Sequence, residues 1–509
     1  MQSEERQICC GKSLRLLLQY DIYEDASEKK CARPGGAVKL YLGNSERDEK
    51  GFKRMELIIA ELSRYIIIIL FALYTFYSFR AFLKKTSEEK DSVFRAQRTL
   101  TVLIHLICSA VLILEFKDMK YVALWGLELV FYFVFVKVYQ ICYKGLSKLI
   151  LNNMMVCMMV GFIMLGRLNY DYAIRQLLMA SVAMGVCLLV PLFIERFTIW
   201  EKIAWQYALV GILFLLLVFV IGVEKYGARN WISFAGIAIQ PSEFVKIIYV
   251  FFIASLLSKT TRFKNIVAIT AVAAIHVVIL VVERDLGAAL IYFVTYLMML
   301  YVATMKVRYL FAGVGAGAIA SVVAYYMFSH VQVRVMAWSD PWSRINNEGY
   351  QICQSLFAIG TGGLFGMGLG QGLPSSVPVV ESDFVFSAIS EELGVIFSIC
   401  LILVYISSFI MFMNIALKMK KKFYKLTAFG LSVVFIFQVF LCIGGATKFI
   451  PSTGVTLPLI SYGGSSIMTT IAIFSIIQGM YVLNGREEVA RLEREEDAER
   501  SNARKRRKK

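Results

Sequence analysis

The chain has 509 residues, of which 58% are hydrophobic and only 18% charged, and its mean hydropathy is +0.64. Soluble domains contain about 25% charged residues, so this composition excludes a soluble globular protein and indicates a polytopic membrane protein. The net charge of +17 does not require a nucleic-acid partner, because much of it lies in short loops and in one tail, where it reports membrane orientation.

Residues 1–54 are polar and mixed in charge, with no secretory signal and no clear periodicity. We expect a polar extension without regular structure here, and the true start codon stays open. After it, thirteen apolar stretches approach the length of about 20 residues that a bilayer crossing needs. They lie at 57–79, 99–116, 121–142, 149–166, 174–194, 202–222, 242–258, 265–282, 286–304, 308–329, 385–414, 424–446 and 463–484.

Basic residues cluster on one side of these thirteen spans. Because cytoplasmic loops are enriched in Lys and Arg, this side is predicted to be cytoplasmic. The long polar segment 330–384 falls on the opposite side and contains only Arg334 and Arg344 as basic residues. It is therefore predicted to be extracytoplasmic. The basic segments are 80–98, 259–264, 417–425 and the tail 485–509, which we interpret as a solvated helix.

Cysteine and histidine predict no metal site. The ten cysteines and three histidines lack the spacing of a zinc site or a disulfide framework. Five of the cysteines lie inside apolar runs, where we expect them to pack as small apolar side chains. These five are Cys108, Cys157, Cys187, Cys400 and Cys442.

Four polar segments open to the predicted outer side, at 226–246, 282–290, 330–384 and 447–466. Ionisable groups at membrane depth are costly and indicate function. Cations can hold a phosphate and a carboxylate can act as a general base, so the set suits an anionic, partly lipidic substrate. Spacing alone does not decide between an enzyme and a transporter. The candidate residues are Arg229, Glu243, Lys246, Arg284, Asp285, Arg334, Asp383, Lys448 and Ser461.

Two of the carboxylates also have plain structural explanations. Glu243 follows Pro241 in a first helical turn, where the helix dipole favours an anion. Asp340 precedes Pro341 and is expected to be a turn residue. Lys246, one turn into a membrane helix, needs a partner.

The same segments closely resemble the SEDS family, the FtsW, RodA and SpoVE proteins of bacterial division, elongation and sporulation. The matching stretches occur in the family's order over residues 149–484, a region with ten of the thirteen spans, the family's helix number. They are G-A-R-N-W-I with I-Q-P-S-E-F-V-K, D-L-G, R-V-M-A-W-S-D-P-W, S-D-F-V-F-S-A-I-S-E-E-L-G and P-S-T-G-V-T-L-P-L-I-S-Y-G-G-S-S.

The resemblance implies an all-α membrane protein with a ten-helix SEDS core at 148–484, preceded by about three extra spans at 55–147 and followed by the tail 485–509. It implies a peptidoglycan glycosyltransferase that polymerises lipid II outside the cytoplasmic membrane and releases undecaprenyl pyrophosphate. A class B penicillin-binding transpeptidase is the implied partner. The resemblance implies no certain cofactor, and a divalent cation such as Mg²⁺ at the pyrophosphate is the one candidate.

The family's essential loop aspartate falls on Asp383. Glycosyl transfer needs a base for the acceptor hydroxyl and positive charge on the departing pyrophosphate. We therefore assign Asp383 as the base and Arg334 and Lys246 as the first candidates for phosphate contacts, with Arg229 and Arg284 behind them. A lipid II flippase and a non-catalytic scaffold for the transpeptidase stay open as alternatives.

Two further carboxylates, Glu391 and Glu392, follow Asp383 by about two helical turns. One reading pairs one of them with a cation. The other makes them buried structural carboxylates, and the sequence does not choose between the two.

Overall fold

The computed structural model of the chain describes residues 36–196, 199–225, 228–234 and 237–507. The chain divides into two compact units, residues 1–58 and residues 59–509. Helix α1 begins at Gly36, inside the segment for which no regular structure was expected; residues 1–35 of that segment lie outside the described residues.

The predicted all-α polytopic fold is confirmed. In the described part of the chain, thirteen helical stretches are long and apolar enough to cross a membrane, the number predicted from sequence. The helices before the core are α1 (Gly36–Leu83), α2 (Ser87–Phe116) and α3 (Met119–Cys142). They are followed by α4 (Lys148–Leu168), α5 (Tyr170–Cys187), α6 (Val190–Arg196), α7 (Ala204–Ile221), α8 (Pro241–Lys259), α9 (Phe263–Val282), α10 (Leu286–Thr304), α11 (Val307–Met327), α12 (Ser329–Ser339), α13 (Tyr350–Gly362), α14 (Val385–Lys418), α15 (Lys422–Ala446) and α16 (Gly464–Arg507).

Short polar turns start several of these helices. The side chains of Thr86, Asp118 and Asn169 accept hydrogen bonds from backbone N–H groups in the first turns of α2, α3 and α5. A helix leaves its first N–H groups without intrahelical partners, and short polar side chains satisfy them best. The turns that separate the apolar runs therefore also fix where each helix begins.

Helix α4 is the centre of the membrane-spanning bundle, and its most apolar window is entirely buried. Asn153 on α4 accepts a hydrogen bond from Tyr74 Oη of α1 at 3.0 Å. On its other side it donates to Ser408 Oγ of α14 at 3.1 Å. Interhelical hydrogen bonds of this kind hold helices together where lipid removes the hydrophobic driving force. Helix α4 thus joins the N-terminal helices to the core.

A small antiparallel sheet lies between α7 and α8, in a segment read from sequence only as a polar region. Its strands are β1 (Val223–Lys225), β2 (Ala228–Phe234) and β3 (Ile237–Ile239), in the order β1–β2–β3. Strand β2 pairs with both neighbours, with Val223 opposite Trp231 and Ile232 opposite Ile239. The sheet leads into Pro241, the first residue of α8.

The segment 330–384 contains α12, α13 and a short 3₁₀ turn at Pro374–Ser376. Residues 363–373, which we call the glycine-rich loop, pack against a break in α14 at Gly394, where φ is +83°. A Cβ atom on Gly366 would lie 2.2 Å from the Glu392 carbonyl oxygen, so only glycine allows this approach. Backbone N–H groups of Met367 and Gly368 donate to the carbonyls of Glu391 and Glu392.

Candidate active site

Asp383 lies at the end of the 330–384 segment, two residues before α14 begins. Its Oδ1 accepts a hydrogen bond from Ser382 Oγ at 3.0 Å. Burial raises the pKa of Asp383, whereas the Ser382 hydrogen bond and the positive charge of Arg334 oppose that shift. The carboxylate is therefore a stronger base than an exposed aspartate would be.

The chain around Asp383 is bound to the segment 447–463, which precedes α16. Ser461 Oγ donates to the backbone carbonyl of Ser382 and also accepts from the Leu457 N–H at 2.9 Å. The N–H of Tyr462 donates to the carbonyl of Glu381 at 2.7 Å. Ser461, predicted as a substrate contact, thus positions the backbone beside Asp383.

Helix α12 brings Arg334 to the same place. Arg334 Nη1 donates to the Ser452 carbonyl at 3.2 Å. Four residues later, on the same helix face, Trp338 Nε1 donates to the Lys448 carbonyl at 3.1 Å. These two bonds hold α12 on the 447–463 segment.

Gly454 separates the Asp383 carboxylate from the Arg334 guanidinium. A Cβ atom on Gly454 would lie 3.5 Å from Asp383 Oδ2 and 3.9 Å from Arg334 Nη2. The φ of Gly454 is +72°, which a glycine adopts without strain. An acid and a cation therefore face one small space that carries no side chain of its own.

Arg284 adds positive charge to this region. Burial lowers the pKa of His330, and the charges of Arg284 and Arg334 lower it further. The Arg334 charge also interacts with Asp383 and Asp285, which oppose the lowering of its own pKa by burial. The structure thus brings together four of the predicted residues, Arg284, Asp285, Arg334 and Asp383.

The Asp285 carboxylate accepts four hydrogen bonds. Its Oδ2 accepts from Asn230 Nδ2 at 3.1 Å, Gln240 Nε2 at 2.9 Å and Ser242 Oγ at 3.0 Å. Its Oδ1 accepts from the Ala288 N–H at 3.1 Å and so starts α10. A carboxylate with four donors holds β2, α8 and α10 together, and its negative charge balances nearby cations.

Lys246 and Glu243 form a second cluster, buried between α8, α15 and α16. Lys246 Nζ lies 2.6 Å from Glu243 Oε2 and donates to Gln438 Oε1 at 2.8 Å. Lys246 is only 2% exposed. Glu243 Oε2 also accepts from Thr469 Oγ1 at 3.0 Å. The partner that Lys246 needs is therefore present, and the pair fixes the helices behind the site.

Glu392 is buried and also pairs with a cation, so both interpretations of this carboxylate from the sequence apply. Its Oε1 lies 2.9 Å from Arg167 Nε at the end of α4, and its side chain is 0% exposed. Arg167 Nη2 also donates to the carbonyls of Gly370 and Gly372. Glu391 Oε1 accepts from the Leu373 N–H at 3.0 Å. Both carboxylates thus hold the glycine-rich loop.

The N-terminal helices reach the glycine-rich loop as well. Arg64 Nη1 of α1 donates to the Gly366 carbonyl at 3.1 Å. Gln371 Nε2 donates to Glu115 Oε2 at the end of α2, at 3.1 Å. The loop that precedes Asp383 is therefore bound from α1, α2, α4 and α14.

The remaining predicted residues are Lys448 and Arg229. Lys448 acts on Asp340, near the C-terminal end of α12, where hydrogen bonds from Ser343 chiefly lower the aspartate pKa. The side chain of Arg229 lies outside the described residues. Their roles as substrate contacts stay predictions.

Sequence reasoning missed several residues of these clusters. Arg167 stood at the end of an apolar run and carried no motif, and Gln438 was an isolated amide within one. An amide or a charge inside a membrane span is itself a signal of an interhelical partner. In the described part of the chain, no group of three or more His, Cys, Asp or Glu side chains could hold a metal ion.

Comparison with known proteins agrees with this geometry. Residues 142–483 match the FtsW, RodA and SpoVE family model, described as "Cell cycle protein". The peptidoglycan glycosyltransferase RodA of Mycobacterium bovis is 35% identical over 332 residues, covering 62% of this chain and 71% of that protein. The stage V sporulation protein E of Bacillus subtilis is 33% identical over 323 residues, covering 61% and 86%.

Solved structures show the same fold. A chain described under "Structural coordination of polymerization and crosslinking by a peptidoglycan synthase complex" is 25% identical, with a TM-score of 0.57 and coverage of 66% of this chain and 98% of that one. The rod shape determining protein RodA of Thermus thermophilus has a TM-score of 0.50 at 25% identity, covering 66% and 97%. This chain is therefore a multi-pass membrane protein of the FtsW, RodA and SpoVE family, the SEDS family that its motifs resemble.

Proposed function

We propose that this peptidoglycan glycosyltransferase polymerises lipid II on the outer face of the cytoplasmic membrane and releases undecaprenyl pyrophosphate. The observation that carries the proposal is the Asp383 carboxylate, with its Oδ2 facing Arg334 across the open space at Gly454. The names of the relatives give the same activity class.

Asp383 is the general base. The acceptor sugar hydroxyl must lose a proton as its oxygen attacks the anomeric carbon of the donor, and a carboxylate at hydrogen-bond distance can take it. The raised pKa of Asp383 strengthens it for this task. Ser382 occupies Oδ1, so Oδ2 is the oxygen that faces the acceptor.

Arg334 and Arg284 stabilise the departing pyrophosphate. Negative charge grows on the leaving oxygen as the glycosidic bond breaks, and fixed cations in a partly buried site lower the energy of that state. Arg334 is held by Ser452, so it does not need to reorganise during the reaction. Lys246, bonded to Glu243 and Gln438, supports the helices behind the site and is not placed on the phosphates.

A divalent cation such as Mg²⁺ stays a separate proposal. Magnesium commonly binds through one or two carboxylates together with substrate phosphates, so it does not need a preformed group of three protein ligands. Lipid II polymerisation that rises with added Mg²⁺ and falls with a chelator would support this proposal, and equal rates in the two conditions would contradict it.

The site is proposed to be extracytoplasmic. The basic segments 80–98, 259–264 and 417–425 and the tail all fall on the other side of the thirteen spans. Labelling of a cysteine introduced at exposed Asp340 with a membrane-impermeant reagent in intact cells tests this assignment. Protection of that cysteine until the cells are lysed would contradict it.

A class B penicillin-binding transpeptidase is the proposed partner, in division, elongation or sporulation. It is supported by the structural similarity to a chain from a complex described as coordinating polymerization and crosslinking. Co-purification of the chain with candidate transpeptidases tests it, with the effect on polymerisation rate as the second readout.

The test of the activity is polymerisation of purified lipid II by the full-length chain. Asp383→Asn should reduce glycan-chain formation by about 10² or more, the usual contribution of a general base. Asp340→Asn is the matched control, because Asp340 is an exposed acid on the same segment and has no proposed role. Normal polymer from Asp383→Asn would favour the flippase or scaffold alternatives.

A further inference from the structure

A groove lies between α2 and α3, in the three N-terminal helices that precede the family match at 142–483. Its volume is about 380 Å³, within the range of roughly 300–1,000 Å³ typical of small-molecule sites. It is lined by Arg98, Thr99, Val102, Leu103, Tyr132, Phe133, Val136, Lys137 and Gln140.

The polar groups of this groove are mainly hydrogen-bond donors. Arg98 and Lys137 are cations, and none of the described lining residues is acidic. Gln140 Nε2 is buried and has no hydrogen-bond partner within the described chain. A buried donor without a partner is costly unless a ligand or water satisfies it. This composition matches an anionic ligand with acceptor oxygens.

The remaining lining is apolar and lies at membrane depth. Val102, Leu103, Phe133 and Val136 continue the groove beside the cations. Tyr132 Oη donates to the Arg98 carbonyl at 3.5 Å and links the two helices there. A free inorganic anion would leave this apolar wall without a partner, whereas the acyl chain of a lipid covers it.

The groove opens towards the predicted cytoplasmic side. Lys137 lies five residues before α3 ends at Cys142, which is about 7–8 Å along the axis at 1.5 Å per residue. Arg98 belongs to the basic segment 80–98. Both cations therefore lie near the depth of lipid phosphates in the inner leaflet, where anionic lipids attract Lys and Arg.

We propose that this groove binds one anionic glycerophospholipid of the cytoplasmic leaflet. Arg98 and Lys137 contact its phosphate, Gln140 Nε2 donates to a headgroup or ester oxygen, and the acyl chain lies along Val102 and Phe133. The site is distinct from the one around Asp383, since it lies on the opposite side of the membrane under the predicted topology. It gives the N-terminal helices a role in lipid recognition.

Native mass spectrometry of the full-length chain in detergent tests the proposal, with phosphatidylglycerol, phosphatidylcholine and inorganic phosphate as probes. Phosphatidylglycerol should stay bound at about tenfold lower concentration than phosphatidylcholine. The variant Arg98→Gln with Lys137→Gln should lose about 30-fold in affinity for phosphatidylglycerol, because it removes two near-surface cations.

The control variant is Arg95→Gln with Lys144→Gln. It removes the same charge from exposed positions that do not line the groove, so it should retain the lipid. Equal binding of the two lipids, or an equal loss of phosphatidylglycerol affinity in the two variants, would refute a specific site. The two cations would then only extend to the membrane surface, as Lys and Arg commonly do. Displacement of the lipid by millimolar inorganic phosphate would assign the cations to a free anion and overturn the lipid assignment.

Discussion

Arg167→Met should destabilise the protein more than the loss of any surface ion pair. Arg167 Nε lies 2.9 Å from Glu392 Oε1, and the two side chains are 17% and 0% exposed. Removing the arginine leaves a buried carboxylate without its cation, which costs about 3–5 kcal/mol. The carbonyls of Gly370 and Gly372 lose the same partner. The unfolding equilibrium should therefore shift by roughly 10²- to 10⁴-fold.

The assay is equilibrium unfolding in mixed micelles, followed by circular dichroism. Arg167→Met combined with Glu392→Gln should recover most of the lost free energy, since the second change removes the unpaired charge. Lys148→Met is the matched control, because its pair with Asp91 is 35% and 43% exposed and contributes under about 1 kcal/mol. A loss below about 1 kcal/mol for Arg167→Met, or a double variant no better than the single one, would refute the reasoning.

Four further outcomes are expected. The polymerisation rate should fall as the pH is lowered through a value above 3.8, since the pKa of Asp383 is raised. An inflection of the rate at or below pH 3.8 would contradict this. So would residual activity in Asp383→Asn that keeps the pH dependence of the wild type. Burial, together with the charge of Asp285, raises the pKa of Glu283 from 4.5 to about 8. The stability that the protonated Glu283 contributes is therefore complete below about pH 4.5 and is lost as the pH rises through about 8. The unfolding free energy of the wild type should fall over this range relative to that of Glu283→Gln. Gly454→Ala places a methyl group 3.5 Å from Asp383 Oδ2 at a φ of +72°, so activity should drop severalfold and stability by about 1–2 kcal/mol; unchanged kinetics would refute the proposed open space. Arg64→Ala removes the 3.1 Å bond to the glycine-rich loop, so hydrogen exchange in that loop should rise and polymerisation should slow, with an unchanged exchange pattern as the contrary result.

Sequence periodicity predicted the membrane helices well, because a bilayer imposes a length and an apolar composition on each crossing. The stretch 149–166, for example, became α4 at Lys148–Leu168. The polar segments had no such constraint. Neither the three-stranded sheet nor the helices α12 and α13 could be read from them, since their short elements are fixed by contacts distant in sequence.

The charged residues of the candidate site could be predicted from the sequence, but most of their hydrogen-bond and ion-pair partners could not. Asp383 and Arg334 stood out as charges beside membrane helices, and the structure brings them to one place. The pairing of Glu392 with Arg167 depends on the bend at Gly394 and on the approach of α4. Such pairings follow from tertiary packing, so single-sequence spacing could not choose between the two readings of Glu392.

The last membrane helix has a consequence for biogenesis. Ser382 and Glu381 are bound by Ser461 and Tyr462, which immediately precede α16. A nascent chain that has not yet made Ser461 and Tyr462 lacks these contacts, which hold the backbone beside Asp383, the proposed general base. Under the proposed mechanism, a product that stalls or is truncated before Ser461 would not polymerise lipid II and would not form misdirected cell wall.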